Sequence, residues 1–166
     1  MSWIKNRAEL LNKDEKVEFI NIHLLYRLKI LKKAVETFSN LKINQFNDKV
    51  ILDCIFEASL IYCRMFMQFL GLGINGDNPP KLKQHRKYYS SDGINSFEVK
   101  VSDLGGSFVE IEKLKKDEQN LLANVYLMAN KASAHLTWNT PHNDNAQEMI
   151  SAARLILRLI DENLLK

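Results

Sequence analysis

His135 is the residue whose type and position best suit chemistry. It lies in the stretch NKASAHLT, which continues a helical run with apolar positions at Leu121, Val125 and Met128. Because helical periodicity returns to the same face after seven residues, His135 lies on the packed side of that helix or at its edge. An imidazole titrates near neutral pH and can act as a general acid or base. The alternative is a partly buried histidine that hydrogen-bonds a neighbouring helix.

The stretch NKASAHLT resembles the signature of the HEPN-domain family, whose members are small helical bundles of prokaryotic toxin–antitoxin and phage-defence systems. That signature is an arginine, usually a polar residue after it, a few further residues and a histidine. His135 matches the histidine, and Asn130 matches the polar residue. The resemblance implies a homodimer in which two motifs face each other across a cleft. In active members it implies RNA cleavage without a metal, with His135 as acid or base and Asn130 orienting the reacting group.

Ala129 stands where the family signature has its arginine. An arginine in that role would hold a phosphate group and stabilise charge in the transition state, which alanine cannot do. Arg64 or a lysine such as Lys131 is therefore the candidate for holding the phosphate. The alternative is a relative of the family without catalysis, and the sequence leaves the choice between enzyme and non-enzyme open.

Arg64 belongs to a narrow polar strip on a helix that is otherwise apolar nearly all round, and such a helix is expected to be packed on more than one side. At about 100° per residue, the polar side chains of the strip fall within about 60° of one another. If this helix neighbours the one before His135, Arg64 approaches His135. The alternatives are a strip that faces solvent, or an interior Arg64 neutralised by a carboxylate of the same strip. The strip consists of Asp53, Glu57, Arg64 and Gln68.

Residues 78–91 carry four basic side chains and no acidic one, which exceeds the formal net charge of +3 of the whole chain. A basic segment with aromatic neighbours can bind RNA, because cations contact phosphates and rings stack on bases. Tyr88 is the candidate ring within the segment, and Lys131 and Trp138 are candidates near His135. The alternative is a solvated loop whose tyrosines cover the end of a helical bundle. The basic residues are Lys81, Lys83, Arg86 and Lys87.

The sequence contains no other pattern typical of catalysis or metal binding. His135 and His142 are seven residues apart with Asp144 nearby, but without an HExxH, Glu-x-x-His or Cys/His cluster neither a metal site nor a cofactor is predicted. Cys54 and Cys63 are nine residues apart, which on one helix separates them by about 13.5 Å and places them on opposite sides. They cannot pair, and we interpret them as buried, reduced thiols of a cytoplasmic protein.

Hydrophobic periodicity predicts four long helices, at about residues 13–38, 48–70, 116–136 and 145–165. The first begins at a capping box of Asn12 and Glu15 and carries an apolar stripe from Val17 to Phe38. All six glycines lie between Gly71 and Gly106, within or beside an irregular insertion at residues 73–113. Alternation of Phe97, Val99 and Val101 with polar residues predicts a short strand or hairpin arm in that insertion. The predicted fold is all-α, an antiparallel four-helix bundle in one domain of 166 residues.

Neither a targeting segment nor a membrane span is predicted. The N-terminal residues are charged throughout, and the most apolar region, residues 51–73, is interrupted by Asp53, Glu57 and Arg64. The composition indicates a globular protein, since 46% hydrophobic and 26% charged residues are typical of that class.

The function predicted first is a HEPN-like, RNA-associated cytoplasmic protein, either a metal-independent ribonuclease or a relative of one without activity. The alternative is a non-catalytic module that dimerises or binds a cognate protein partner. A small-molecule pocket lined by Met65, Met67, Tyr126 and Trp138 is a third possibility, without a motif of its own. The sequence identifies neither an RNA substrate nor a partner or biological process.

Overall fold

Four long helices form an antiparallel all-α bundle in the computed structural model, which describes residues 11–40, 48–85, 99–134 and 145–164. The first helix is continuous through two α-helical parts joined by a π-helical segment. A two-stranded antiparallel sheet lies between the second and third long helices. The elements are α1 (Lys13–Glu18), the π segment (Phe19–Leu24), α2 (Leu25–Asn40), α3 (Lys49–Phe69), β1 (Leu72–Ile74), β2 (Leu82–Gln84), α4 (Lys116–Ala134) and α5 (Ala146–Leu164).

Side-chain caps fix where two of these helices begin. Asn12 Oδ1 accepts from the Glu15 backbone N–H at 2.9 Å, and Asn12 N–H donates to Glu15 Oε2 at 2.7 Å. This reciprocal pair confirms the predicted capping box. Asp48 caps α3 by accepting from the N–H groups of Val50 and Ile51 at 3.0 and 3.3 Å.

Contacts between α4 and α5 show that these helices run in opposite directions. Arg158 Nη2 on α5 donates to Glu118 Oε1 on α4 at 2.8 Å, and Asn124 Nδ2 donates to Glu148 Oε1 at 3.1 Å. Residue numbers therefore rise along α4 as they fall along α5. The burial of Glu118 opposes ionisation, but its hydrogen bonds to Lys115 N–H and to Arg158, together with the charges of both residues, leave the pKa of the carboxyl lowered.

The first helix and α3 also run in opposite directions. Phe38 near the end of α2 packs edge-to-face against Phe56 of α3, with ring centroids 6.1 Å apart. At the other end of the pair, Phe19 and Phe69 line one cavity. The ends of α3 and α5 meet the same part of the chain, residues 99–107, so these two helices run parallel and α4 runs opposite to both.

Val17 is a place where the predicted apolar stripe is wrong. The stripe assumed α-helical periodicity from Val17 to Phe38, and later members such as Leu24, Leu28 and Leu31 are buried as expected. Val17 is exposed, because the π segment that follows it closes hydrogen bonds one residue further along. That extra residue rotates the preceding turn away from the stripe.

The insertion contains a hairpin, but at a different place from the predicted strand. β1 pairs antiparallel with β2, with Leu72 opposite Gln84 and Ile74 opposite Leu82. The predicted strand at residues 97–101 begins outside the described residues, and its last residue, Val101, starts a 3-10 turn instead. Residues 99 and 100 are in no strand.

Gly71 joins α3 to the hairpin in a conformation that favours glycine. Its φ is +79°, in the left-handed region, and a Cβ there would lie 2.5 Å from Cδ1 of Phe108. Its carbonyl accepts from His85 N–H at 2.7 Å. A side chain at this position would therefore strain the backbone and displace the Phe108 ring.

We expect Gly71→Ala to lower the free energy of unfolding by roughly 1–3 kcal/mol from backbone strain, and by more if the Phe108 ring cannot shift. Gly76→Ala is the matched control, because φ is not positive there and nothing lies within 4 Å of the added Cβ. Urea unfolding followed by circular dichroism measures both variants. Equal stability of the two would contradict the assignment of strain to Gly71.

Candidate functional site

The structure describes half of the residues predicted to form a site. Arg64, Asn130 and Lys131 are partly buried on α3 and α4, whereas Lys81 and Lys83 are exposed on or beside β2. Residues of the predicted site that lie outside the described residues are His135, Arg86, Lys87, Tyr88 and Trp138. His142 and Asp144, considered for a metal, also lie outside them.

Arg64 and Gln68 are partly buried and contact α4, so this part of the polar strip packs against a neighbouring helix. The Arg64 guanidinium carbon lies 5.6 Å from the centroid of the Tyr126 ring, within the range of a cation–π contact. Gln68 Nε2 donates to the Tyr126 hydroxyl at 2.9 Å. Tyr126 is buried, and these two contacts join α3 to α4 near the middle of α4.

Lys100 is a fully buried cation at the end of α3. Its Nζ donates to the backbone carbonyl of Gln68 at 3.1 Å, close to the C-terminus of α3, where the helix dipole favours positive charge. Its backbone N–H donates to Oδ2 of Asp103, which is also buried, at 2.8 Å. Together Arg64, Gln68, Lys100, Asp103 and Tyr126 form a connected polar cluster, which we call the Gln68 network.

The sequence prediction missed Lys100 and Asp103. The predicted strand makes Lys100 one of its polar residues, because Lys100 lies between two valines. In the structure, Asp103 instead holds Lys100 in a turn. The long-range contact to Gln68 has no counterpart in the local sequence.

The register of α3 and α4 brings the predicted residues Arg64 and Asn130 to the same level. Gln68 contacts Tyr126, and in an antiparallel pair the residue one turn before Gln68 lies level with the residue one turn after Tyr126. The Arg64 guanidinium, however, lies over Tyr126, toward the start of α4. About 12 Å of helical rise separate Tyr126 from Ala134, the last described residue of α4.

Ala129 faces the core of its own bundle. Its exposed fraction is 0%, and it belongs to the main cluster of buried hydrophobic residues. An arginine at this position would have to enter that packed interior, where an unpaired charge is costly. The position that matches the arginine of the HEPN signature is therefore not on a cleft surface of this chain.

The acidic end of the polar strip differs from its other end. Asp53 and Glu57 are partly buried and form no ion pair within the described part of the chain. Oδ1 of Asp53 is buried and has no hydrogen-bond partner among the described residues. The expectation that one of these carboxylates neutralises Arg64 is wrong within that part of the chain.

The described lysines of the basic segment lie at the surface of the hairpin. Lys81 Nζ is 3.9 Å from Oδ2 of Asp77, and both side chains are mostly exposed, so this pair contributes little stability. Lys83 is exposed on β2. These two lysines are accessible, and the remaining basic residues of the segment fall outside the described ranges.

The described residues contain neither a cluster suited to a metal ion nor a helix suited to crossing a membrane. Among residues 11–40, 48–85, 99–134 and 145–164, no three His, Cys, Asp or Glu side chains are grouped closely enough to hold a metal ion. Within the same ranges, no helix combines the length and the hydropathy needed to cross a bilayer.

The two cysteines have opposite environments, so the prediction of two buried thiols is correct only for Cys63. Cys54 is exposed on the outer side of α3, whereas Cys63 is fully buried in the core. Burial raises the pKa of the Cys63 thiol from its ordinary 9.0 to about 12, because the thiolate would lose its hydration.

We expect Cys63 to be unreactive in the native chain. In Cys54→Ser, a thiol reagent at mildly alkaline pH should label nothing until urea is added, and one thiol for each chain thereafter. Because the folded pKa of Cys63 is the higher one, its neutral form stabilises the fold below pH 9, and this contribution falls between pH 9 and about 12. Rapid labelling of native Cys54→Ser would show that the core is more open than described.

Comparisons with known proteins add no family. A scan against protein-family models finds no match, and searches of curated proteins and of solved structures find none either.

Proposed function

We propose that the chain is a non-catalytic interaction module that forms a homodimer through the outer face of α3. The observation that carries this proposal is the exposure of apolar side chains along that face. Val50 is 70% exposed, Ile51 48% and Ile61 45%. The sequence predicts a helix packed on more than one side, and the described chain covers only one side of it.

Exposed apolar residues lie on two of the four long helices. Every large hydrophobic residue that is exposed within the described ranges belongs to the first long helix or to α3, and none lies on α4 or α5. Single exposed apolar residues are ordinary, but their repetition along one helix face is typical of an interface. The exposed residues are Val17, Ile22, Leu25, Tyr26, Val50, Ile51 and Ile61.

The outer face of α3 has the spacing of a helix–helix seam. Apolar residues follow one another at steps of three, four, three and four, which is the a/d pattern of a coiled coil. The first four are exposed and the fifth is partly buried, and two of them are small enough for close approach. We call this set the α3 seam: Ile51, Cys54, Ala58, Ile61 and Met65.

The α3 seam is complementary to itself when two copies pair antiparallel. With a two-fold axis between residues 59 and 60, Ala58 packs against Ile61 of the second copy and Cys54 against Met65. Glu57 and Arg64 each precede a seam residue, and in the same pairing Glu57 of one copy lies about 3 Å along the axis from the level of Arg64 of the other, twice by symmetry. This charge complementarity favours a second copy as the partner.

Two observations favour a module without catalysis over an active nuclease. Ala129, at the signature's arginine position, is buried in the core. Arg64, the candidate replacement, stacks on Tyr126. A guanidinium held there supports packing between α3 and α4.

Ala58→Arg tests this proposal at the centre of the α3 seam. We expect the wild-type chain to sediment as a dimer and Ala58→Arg to dissociate it, weakening association roughly a hundredfold or more, because an unpaired charge would be buried. Asn120→Arg is the matched control, because Asn120 is an exposed residue of α4, and this variant should remain dimeric. Sedimentation equilibrium measures association, and circular dichroism checks folding. A monomeric wild type, or a dimeric Ala58→Arg, would refute the α3 seam.

Charge exchange tests the antiparallel register. Glu57→Arg and Arg64→Glu should each weaken the dimer by roughly tenfold, and the double exchange should restore association, because the two cross-copy pairs are re-formed. Arg64→Glu also removes the contact to Tyr126 and can lower stability. The quantity to compare between variants is therefore the dissociation constant of the dimer. If the double variant does not regain association, this register is excluded. Ala58→Arg still tests the seam itself.

A second candidate function is that of a HEPN-like RNA-associated protein, favoured by the stretch NKASAHLT and by the exposed Lys81 and Lys83. In this proposal His135 is the acid or base and Asn130 orients the reacting group. Phosphate is held by Arg64 or Lys131. RNA contacts come from the basic residues of 78–91, from Tyr88 and from Trp138.

RNA cleavage by wild type and His135→Ala in the presence of EDTA tests this second candidate. An active HEPN-like protein should cleave RNA under these conditions and lose the activity in His135→Ala, since no metal is involved. A double Lys81→Ala, Lys83→Ala variant should bind RNA more weakly with a smaller salt dependence. If the wild type neither binds nor cleaves RNA, this candidate is rejected and the dimer proposal is unaffected.

A further inference from the structure

A cavity of about 420 Å³ opens between the π segment and the C-terminal end of α3. This volume lies within the range of small-molecule sites, which is roughly 300–1,000 Å³. The sequence analysis names four residues for a small-molecule pocket. Of those that the structure describes, Met65 alone lines this cavity. Met67 and Tyr126 are buried elsewhere, and Trp138 lies outside the described residues.

The inner lining of the cavity is apolar. Leu24, Phe66 and Phe69 are buried residues that contribute surface to it. Phe19 and Val99 complete the apolar walls and are partly buried. An apolar molecule would therefore be shielded from water by aromatic and aliphatic side chains.

A cation borders this apolar space without a matching anion. Arg27 lines the cavity and is partly buried, and its Nη1 donates to the His23 carbonyl at 3.1 Å. That bond leaves other guanidinium N–H groups available, because a guanidinium carries five. No Asp or Glu is among the lining residues, and Arg27 forms no ion pair within the described part of the chain.

The π segment is what turns these residues toward the cavity. Leu25 N–H bonds to Ile20 O, a step of five residues, and the widened turn carries Phe19, His23 and Leu24 on the cavity side. The rings of Phe19 and His23 contact each other in a tilted arrangement, with centroids 5.6 Å apart and 48° between their planes. π-helical turns are rare and occur frequently at functional sites.

We propose that this cavity binds an amphipathic monocarboxylate. The apolar body occupies the space between Leu24, Phe66 and Phe69, and the carboxylate accepts hydrogen bonds from the Arg27 guanidinium, beside His23. One guanidinium matches one carboxylate in charge and in its planar, two-pronged geometry. The cavity and the α3 seam share Met65, but Arg27 and Val99, on which the tests below rest, are outside the seam.

Three probes of equal chain length separate charge from hydrophobicity. Isothermal titration with decanoate, decanol and decylamine should give the tightest binding for decanoate, roughly tenfold weaker binding for decanol and the weakest for decylamine. Decanol and decanoate binding equally, or no binding of decanoate, would overturn the proposal.

Two variants and a control locate the site. Arg27→Gln should remove the preference for decanoate over decanol and leave decanol binding unchanged. Val99→Phe, which reduces the volume of the cavity, should weaken both. Arg154→Gln is the matched control, because Arg154 is an exposed arginine on α5 that bonds Ser39 Oγ at 3.0 Å, and it should bind like wild type. Unchanged decanoate binding in Arg27→Gln or Val99→Phe would contradict this site, provided circular dichroism shows that the variant is folded.

Discussion

Phe56, Leu60, Cys63 and Phe66 turn one face of α3 into the centre of the bundle, and all four are essentially inaccessible to solvent. This burial fixes the rotation of α3 about its axis. Once that rotation is fixed, Arg64 and Gln68 must face α4, and the α3 seam must face outward. Both the Gln68 network and the proposed dimer interface are therefore consequences of how one helix packs.

The residues on the outward face of α3 affect the stability of the monomer and its association in opposite ways. Apolar side chains at the surface of a monomer lose the hydrophobic free energy of burial, which is roughly 25 cal/mol for each Å². Polar side chains there would keep the monomer stable and prevent association. The helix instead presents four exposed apolar residues and the partly buried Met65 at coiled-coil spacing, a surface that we propose a second copy covers.

Periodicity was sufficient to predict the four helices, because an amphipathic helix repeats its apolar residues over many turns and this signal is local. It could not predict which neighbour each face meets. The polar strip of α3 was therefore identified correctly as a strip, but its contact with Tyr126 depends on the rotation of α3 in the bundle. Val17 was misplaced because a single π turn shifts the repeat, and Lys100 was missed because its partner Gln68 is distant in sequence.

The same packing engages two residues that the sequence analysis singles out. Ala129 belongs to the core, and the Arg64 guanidinium lies over the Tyr126 ring of α4. In this account, α3 serves as a scaffold on its inner face and as an interaction surface on its outer face.

The most direct measurement is disulfide formation between copies in Met65→Cys. The antiparallel register sets Cys54 of one copy against position 65 of the other, so mild oxidation should convert Met65→Cys to a covalent dimer. The wild type should form no covalent dimer on oxidation, because its two Cys54 thiols are roughly 16 Å apart along the axis in that register. A Met65→Cys variant that stays monomeric on oxidation would contradict the account, as would a wild-type chain that cross-links equally well.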